Sequence, residues 1–446
     1  MRTVRIALAF VGLLVGAGFA TGQEVIQYFI SFGKNGLWGL LLAGVVMTVA
    51  GSAILQVGSY FLADEHKMVF HNVSHPIVSW ILDVAVTVTL FAVGFVMLAG
   101  AGANLEQQYG LPTWIGAAIM TVLVMVTGLM DVDKVSSIIS TVTPLIIIAV
   151  IFGFVYTMLH LPDNFSAMAE MATHEESPVK PFWLSALNYN GLALLLGVSM
   201  SLVIGGNHSN PRQVFVGGLA GGALYTLMLV LAGFTLLLNI EKVAGSDVPM
   251  LQLMDSISPI LSNIMVWIIF VMIYNTCIGM FYALGRRLTA NHKGRYAPVF
   301  LLTCLVGYGV SFVGFGQLMT SVYPVIGYLG MFMIVVMVAW WLKSRTRINN
   351  ESKRRQRIYE LEYKRQHPDE NLTQKEEEEL HARLQKSNID RYALREVIDT
   401  EVNRDLEGTD GVDAPDLQSF KAQTLREDHR TGRSDGKYAS RPVGDK

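Results

Sequence analysis

Among the residues of this chain, Glu24 is the best placed to do chemistry. It stands in "VGAGFATGQEVIQYF", residues 15–29, inside the first long apolar run. Gly16, Gly18 and Gly22 precede it, and Gln23 and Gln27 flank it. A carboxylate at membrane depth is costly, a few kcal/mol on insertion scales, so it faces a bundle interior or a cavity. Each glycine lowers helix propensity by roughly 1 kcal/mol relative to alanine and lets the backbone leave helical geometry. Non-helical backbone is tolerated at that depth only where protein or a water-filled cavity satisfies it. The expectation is a break between two half-helices, whose carbonyls can coordinate a cation and whose N-terminus can receive a carboxylate. Candidate substrate-binding residues are therefore Gly16, Gly18, Gly22, Gln23 and Glu24, with Thr21 in the same stretch; Gly16 and Glu24 are also candidates for ion or proton coupling. The plainer alternative is close helix packing by small residues, and the carboxylate argues against it.

Three further groups invite the same question. In "SALNYNGLALLLGVSMS", residues 185–201, Asn188, Asn190 and Gly191 make a polar interruption in an apolar run, a second candidate break and part of the substrate site. An interfacial helix start is the alternative there. In "VMIYNTCIGMFYALG", Asn275 and Thr276 form a polar step that could ligate a cation, unless the hydroxyl merely bonds its own i−4 carbonyl. Asp83, shortly after Pro76, reads as a carboxylate near a helix start, where interfacial water and the dipole favour it; a proton or gating role is the alternative. His66, His71 and His75 read as a solvated loop rather than a metal site, and Cys277 and Cys304 as small buried side chains. No metal site, cofactor or nucleotide loop is expected, and no acid–base pair or nucleophile elbow argues for an enzyme.

The elements that must position these residues are membrane spans. Of the 446 residues 52% are hydrophobic and only 16% charged, at a mean hydropathy of +0.40. The charges are unevenly placed, 27 in residues 1–344 against 43 in residues 345–446. This predicts a membrane domain over 1–344 and a charged cytoplasmic tail over 345–446, helical at first and then disordered beyond about 405. Basic residues in the first part are too sparse to bind nucleic acid. A span needs roughly 20 apolar residues to cross the hydrocarbon. Ten candidates follow, at 5–32, 36–61, 77–103, 113–130, 135–159, 184–205, 213–239, 257–284, 297–314 and 320–342. In lipid such runs must be helices. The basic N-terminus "MRTVRIALAFVGLL" fits a retained first span better than a cleaved leader. With both termini cytoplasmic, nine Lys and Arg between the spans and at the N-terminus lie inside and three outside, as the positive-inside rule requires. "KSRTRINNESKRRQR" would then lie beside anionic headgroups. In the tail, Thr373 and Glu376 have capping-box spacing.

"GAGFATGQEVIQYF", "FGKNG" and "MLAGAGANLEQQYG", with ten spans, resemble the YkvI-like amino acid permease family of the amino acid–polyamine–organocation superfamily. The likeness covers about residues 1–344. "VGAGF" followed by "FGKNG" is also similar, more distantly, to the first span of sodium-coupled neurotransmitter-type symporters. That resemblance implies an all-α membrane protein with a LeuT-like five-plus-five inverted repeat and broken first and sixth helices. It also implies that Gly16, Ala17 and Gly18 offer backbone to substrate or ion, and that Thr276 matches a sodium ligand. The chain departs where "FATGQE" replaces an asparagine of those symporters. The expected activity is secondary transport of a small solute, an amino acid by the resemblance, coupled to Na+ or H+ by alternating access in the cell membrane. The alternative is a non-transporting sensor on the same scaffold, with the tail and an unknown partner as its output.

Overall fold

The computed structural model describes residues 2–130, 143–162, 164–290, 292–367 and 370–406. The first span is not one helix but three, α1 (Arg2–Leu14), α2 (Ala17–Thr21) and α3 (Gln23–Tyr28). There follow α4 (Lys34–Phe61), the short α5 (His66–Val73), α6 (Pro76–Tyr109), α7 (Thr113–Gly128), α8 (Thr143–Leu159) and the connecting α9 (Phe165–Ala172). The second half holds α10 (Phe182–Gly206), α11 (Pro211–Leu238), the connecting α12 (Ile240–Val243) and α13 (Pro249–Ile257), α14 (Pro259–Leu288), α15 (Tyr296–Ser311) and α16 (Phe315–Gln366). Two tail helices close the described chain, α17 (Gln374–Gln385) and α18 (Arg391–Leu406). All ten expected spans have a helical counterpart, although residues 135–142 of the fifth lie outside the described residues. Among the described residues, α4, α6, α10, α11, α14 and α16 are long and apolar enough to cross a membrane, and α7, α8 and α15 are shorter apolar helices. In the first span no single helix is long enough to cross, because the span is divided among α1, α2 and α3.

The first four spans each pack against the span five places later. α1 meets α10, α4 meets α11, α6 meets α14 and α7 meets α15, as an inverted repeat of five and five requires. Small residues make the closest of these contacts. Gly44 faces Thr226, Gly218 faces Ser52 and Gly222 faces Thr48 across the α4–α11 seam. Lipid gives apolar helices no hydrophobic reason to associate, so close van der Waals packing of this kind holds them. Trp38, Val45, Ile77, Trp80 and Val122 point outward, well exposed, where hydrocarbon would surround them.

One expectation is corrected. The sixth span is not broken: Phe182–Gly206 is one continuous helix. Its asparagines do not interrupt it, because Asn190 Nδ2 donates to Ala186 O at 2.9 Å within the helix and Asn188 Nδ2 donates outward to Pro324 O at 3.0 Å. α16 runs unbroken from the last span to Gln366, across the charge shift near Arg345. The expected disorder beyond about residue 405 falls almost wholly on 407–446, outside the described residues.

The tail helices fold back onto the membrane part. Ile358, Leu361, Leu380, Leu394, Ile398 and Val402 build a second small core, to which Leu62 contributes from the end of α4. Leu62 adopts a left-handed φ of 47°, uncommon for a side chain of this kind. The capping box of Thr373 and Glu376 starts α17 as read. Arg355 of α16 is fully buried. It donates to Ser59 O and Tyr60 O, both at 2.8 Å, to Ser209 O at 3.2 Å, and to Asn388 Oδ1 and Glu351 Oε1, both at 2.9 Å. The last carbonyls of a helix have no partner within it and carry its negative dipole end, so a guanidinium is well matched to the end of α4. Arg355→Ala would strip the end of α4 and Ser209 O of their buried donor and leave Glu351 with Arg354 as its remaining cation. We expect it to weaken tail docking by about 3–5 kcal/mol, read as faster limited proteolysis between α16 and α18.

Candidate functional site

The break in the first span is built by backbone geometry at two glycines. Gly16 is extended, φ −95° and ψ −176°, and Gly22 is left-handed at φ 80°. A side chain at Gly22 would be strained by that φ and would also meet Met250 of α13, which covers the break. Because Gly22 N donates to Phe19 O at 3.1 Å, the carbonyl of Gly18 loses its helical partner. Thr21 replaces it: Thr21 Oγ1 donates to Gly18 O at 2.8 Å and accepts from Gln23 N at 3.3 Å. Thr21 is thus the brace of the break.

Glu24 folds back over Gly18. A Cβ added at Gly18 would lie 1.6 Å from Glu24 Oε1, so only glycine leaves the carboxylate this seat. The seat is enclosed by protein yet keeps some accessible surface. Within the described residues the carboxylate forms no ion pair and no hydrogen bond. Four buried tyrosines, Tyr28, Tyr189, Tyr225 and Tyr323, stand within its electrostatic reach. The hydroxyls of Tyr189 and Tyr225 bond each other at 2.5 Å, and the ring of Tyr189 meets those of Tyr28 and Phe29. Tyr28 Oη and Gln27 Oε1 are buried with no hydrogen-bond partner. A buried polar atom left unpaired costs about 1–3 kcal/mol, so such atoms beside an unpaired carboxylate suit a bound polar guest. The tyrosines come from α3, α10, α11 and α16, too far apart in sequence to be linked by spacing.

The other candidates do not all converge here. Asn188 lies on α16 rather than on α2: a Cβ at Gly327 would stand 2.1 Å from its Oδ1. Gly191 is a packing contact, since a Cβ there would lie 2.1 Å from Gly327 O. Asn188 Oδ1 and Asn190 Oδ1 are nevertheless buried without partners. On α14, Thr276 Oγ1 bonds Met272 O at 3.1 Å, the i−4 alternative, and Asn275 is exposed.

A second cluster lies at the end of the bundle that carries the tail. Asp83 of α6 is ion-paired with Arg287 of α14, which also donates from Nη2 to Asp83 O at 2.9 Å. Arg287 Nη1 stands 2.8 Å from His66 Nε2, and Ser199 Oγ of α10 stands 2.8 Å from His66 Nδ1. A guanidinium can only donate, so the network assigns His66 the neutral form with its proton on Nδ1, toward Ser199. Burial first, and Arg287 second, push His66 down to about 4. His71 and His75 are exposed, and the described residues hold no group able to bind a metal. The partners of Asp83 lie 17 residues before and 204 after it, beyond any local pattern. At the other end, Glu106, Gln107, Lys242, Ser246, Asp247 and Gln252 line a polar recess of about 400 Å³.

No protein-family model matches the chain. It is 28% identical over 332 residues to the uncharacterized membrane protein YkvI of Bacillus subtilis (strain 168), covering 73% of this chain and 92% of that one. It is 25% identical over 340 residues to the uncharacterized protein YyaD of the same organism, covering 76% and 96%. Among solved structures it resembles MhsT in complex with L-phenylalanine, at a TM-score of 0.57 and 14% identity over 89% of this chain and 97% of that one. The inward-facing conformation of Mhp1 is similar at a TM-score of 0.50 and 13% identity, over 89% and 91%. This is a LeuT-like membrane fold. The likeness to YkvI read from the first-span motif holds along the membrane part, and the multi-pass architecture holds with it.

Two outcomes follow. Gly191→Ala should destabilise the α10–α16 contact by about 1–3 kcal/mol, because backbone rather than a flexible side chain opposes the added methyl; thermal unfolding in detergent measures it. A histidine held neutral stabilises the fold above its ordinary value, and that contribution is lost as pH falls from about 6.5 toward about 4. Acidification over that window should therefore lower the melting temperature more for the native chain than for His66→Gln.

Proposed function

We propose that the chain is a secondary transporter of a small solute, an amino acid or similar zwitterion, working by alternating access and driven by Na+ or H+. The observation that carries this reading is the broken first span, with an unpaired carboxylate seated on Gly18 inside a LeuT-like fold. The solute would lie beside the break, its carboxylate toward the backbone of Gly16, Ala17, Gly18 and Gly22, with Thr21 and Gln23 bracing the turn. Its ammonium, or the coupling ion, would face Glu24 and the tyrosine hydroxyls. A carboxylate without a counter-charge in so dry a place gains from a proton or a cation, and cycling between loaded and empty forms is what coupling needs. The L-phenylalanine of the MhsT complex is in keeping with an amino acid cargo. Asn188 and Asn190, whose side-chain oxygens are buried without partners, would act from the neighbouring α10 wall, and Thr276 from α14 as a sodium ligand if the ion is sodium. Both termini would be cytoplasmic, as the distribution of Lys and Arg supports, and the polar recess near Asp247 would be the outer approach.

Tail docking onto the membrane part supports a second reading, a sensor that reports solute binding through the tail. Uptake of labelled amino acids into proteoliposomes under imposed sodium and proton gradients separates the two. We expect gradient-dependent uptake, and at least about a tenfold loss for Glu24→Gln, equivalent to about 1.4 kcal/mol, with the melting temperature little changed. Uptake that is indifferent to both gradients and to Glu24→Gln would sink the coupled mechanism. Solute binding without uptake would favour the sensor.

A further inference from the structure

The tail does more than cover the end of the bundle. α1 is joined to the rest of its span through the extended Gly16, and nothing stands within 4 Å of the place a Cβ on Gly16 would take. At this end the helix is interrupted by one extended glycine with open space beside its Cα. The other end is tied down. Arg2 donates to Glu401 Oε2 at 3.2 Å, to Glu401 O at 3.0 Å and to Tyr359 Oη at 2.9 Å, is paired with Asp405, and lies 4.5 Å over the ring of Tyr359.

The same Glu401 accepts from Ser209 N at 3.1 Å and Ser209 Oγ at 2.5 Å, in the turn between α10 and α11. Arg355 grips that turn from below through Ser209 O, together with the last carbonyls of α4. One folded cap thus fastens the far end of α1 to three neighbouring helices at once. Glu401 is the shared acceptor, with its side chain 5% exposed. Ion pairs exposed to water hold little, but a pair this enclosed is screened far less.

We propose that the helical tail, through Glu401 and Arg355, is an autoinhibitory clamp that holds α1 closed against α10 and α11, and that its release lets α1 pivot about Gly16. Its effect on flux rests on the transporter reading above; the pivot does not. Ile6 reports the pivot because it is fully buried against Gly217 of α11, where a Cβ would lie 2.7 Å from its Cγ2.

The test places a cysteine at Ile6→Cys in the full chain and follows its maleimide labelling over the chain without it, whose Cys277 and Cys304 are both buried. Labelling should be slow with the native tail and about tenfold faster or more in Arg2→Ala and in Glu401→Ala, within the range of coupling between sites. Arg357→Gln, which loses pairs only to Glu360 and Glu379 inside the tail, should leave it unchanged. Val93→Cys, 1% exposed in α6, should stay slow in every background. Equal Ile6→Cys rates in the native, Arg2→Ala and Glu401→Ala chains would overturn the clamp. So would a parallel rise at Val93→Cys, which would mean general loosening. Neither readout needs a solute, so absence of amino acid uptake would refute the transporter reading without touching this one.

Discussion

A helix that leaves helical geometry inside a bilayer must find new partners for its backbone, and the arrangement around residues 15–28 answers that demand. The carbonyl released at Gly18 is taken by the Thr21 hydroxyl, and the turn at Gly22 is covered by Met250 from α13. With the backbone thus satisfied, the open face of Gly18 becomes a seat for the Glu24 carboxylate, and buried tyrosines from four helices stand within its electrostatic reach. The paired packing of spans five places apart makes this possible. It puts α10 and α11 beside α1 and α4, so that Tyr189 and Tyr225 reach a break more than 160 residues away.

Two polar networks stand at the tail-bearing end. The last turn of a helix exposes orphan carbonyls and a negative dipole end, which Arg355 meets at the end of α4, while Arg2 and Arg287 are held by the carboxylates of Glu401 and Asp83. The two networks differ in kind. The Asp83–Arg287–His66–Ser199 chain ties four membrane elements to one another, whereas the Arg355 and Glu401 contacts tie membrane elements to the tail. Both link segments on opposite sides of the internal repeat. Their rearrangement would accompany any relative motion of those segments.

The break at Gly16–Gly22 was legible because glycine clusters and a lone carboxylate are both anomalous in an apolar span, and each signal is local. The same reasoning misread the sixth span. Asn188 and Asn190 look like an interruption on paper, but an asparagine amide can bond its own helix or a neighbour, and here Ala186 and Pro324 accept those protons and α10 stays whole. Thr276 shows the reverse ambiguity, its hydroxyl spent on Met272 O while its sequence context allowed an ion. Asp83 was rightly placed near a helix start, but its partner Arg287 came only with folding. The shift in charge near Arg345 has no counterpart in secondary structure, since α16 crosses it without a break.

Hydropathy determined the spans, their number and the even count that returns the tail to the side of Arg2, because the bilayer admits only helices of sufficient length. Glycine and carboxylate content determined where the first span opens. Only the tertiary structure decided which atoms face that opening, that Gly191 serves packing, and that the tail is bound to the membrane part through Arg355 and Glu401. The physical reason is one of range. Solvent preference and backbone propensity act residue by residue and leave a periodic trace, whereas hydrogen bonds and ion pairs between distant segments depend on positions that exist only once the helices have packed.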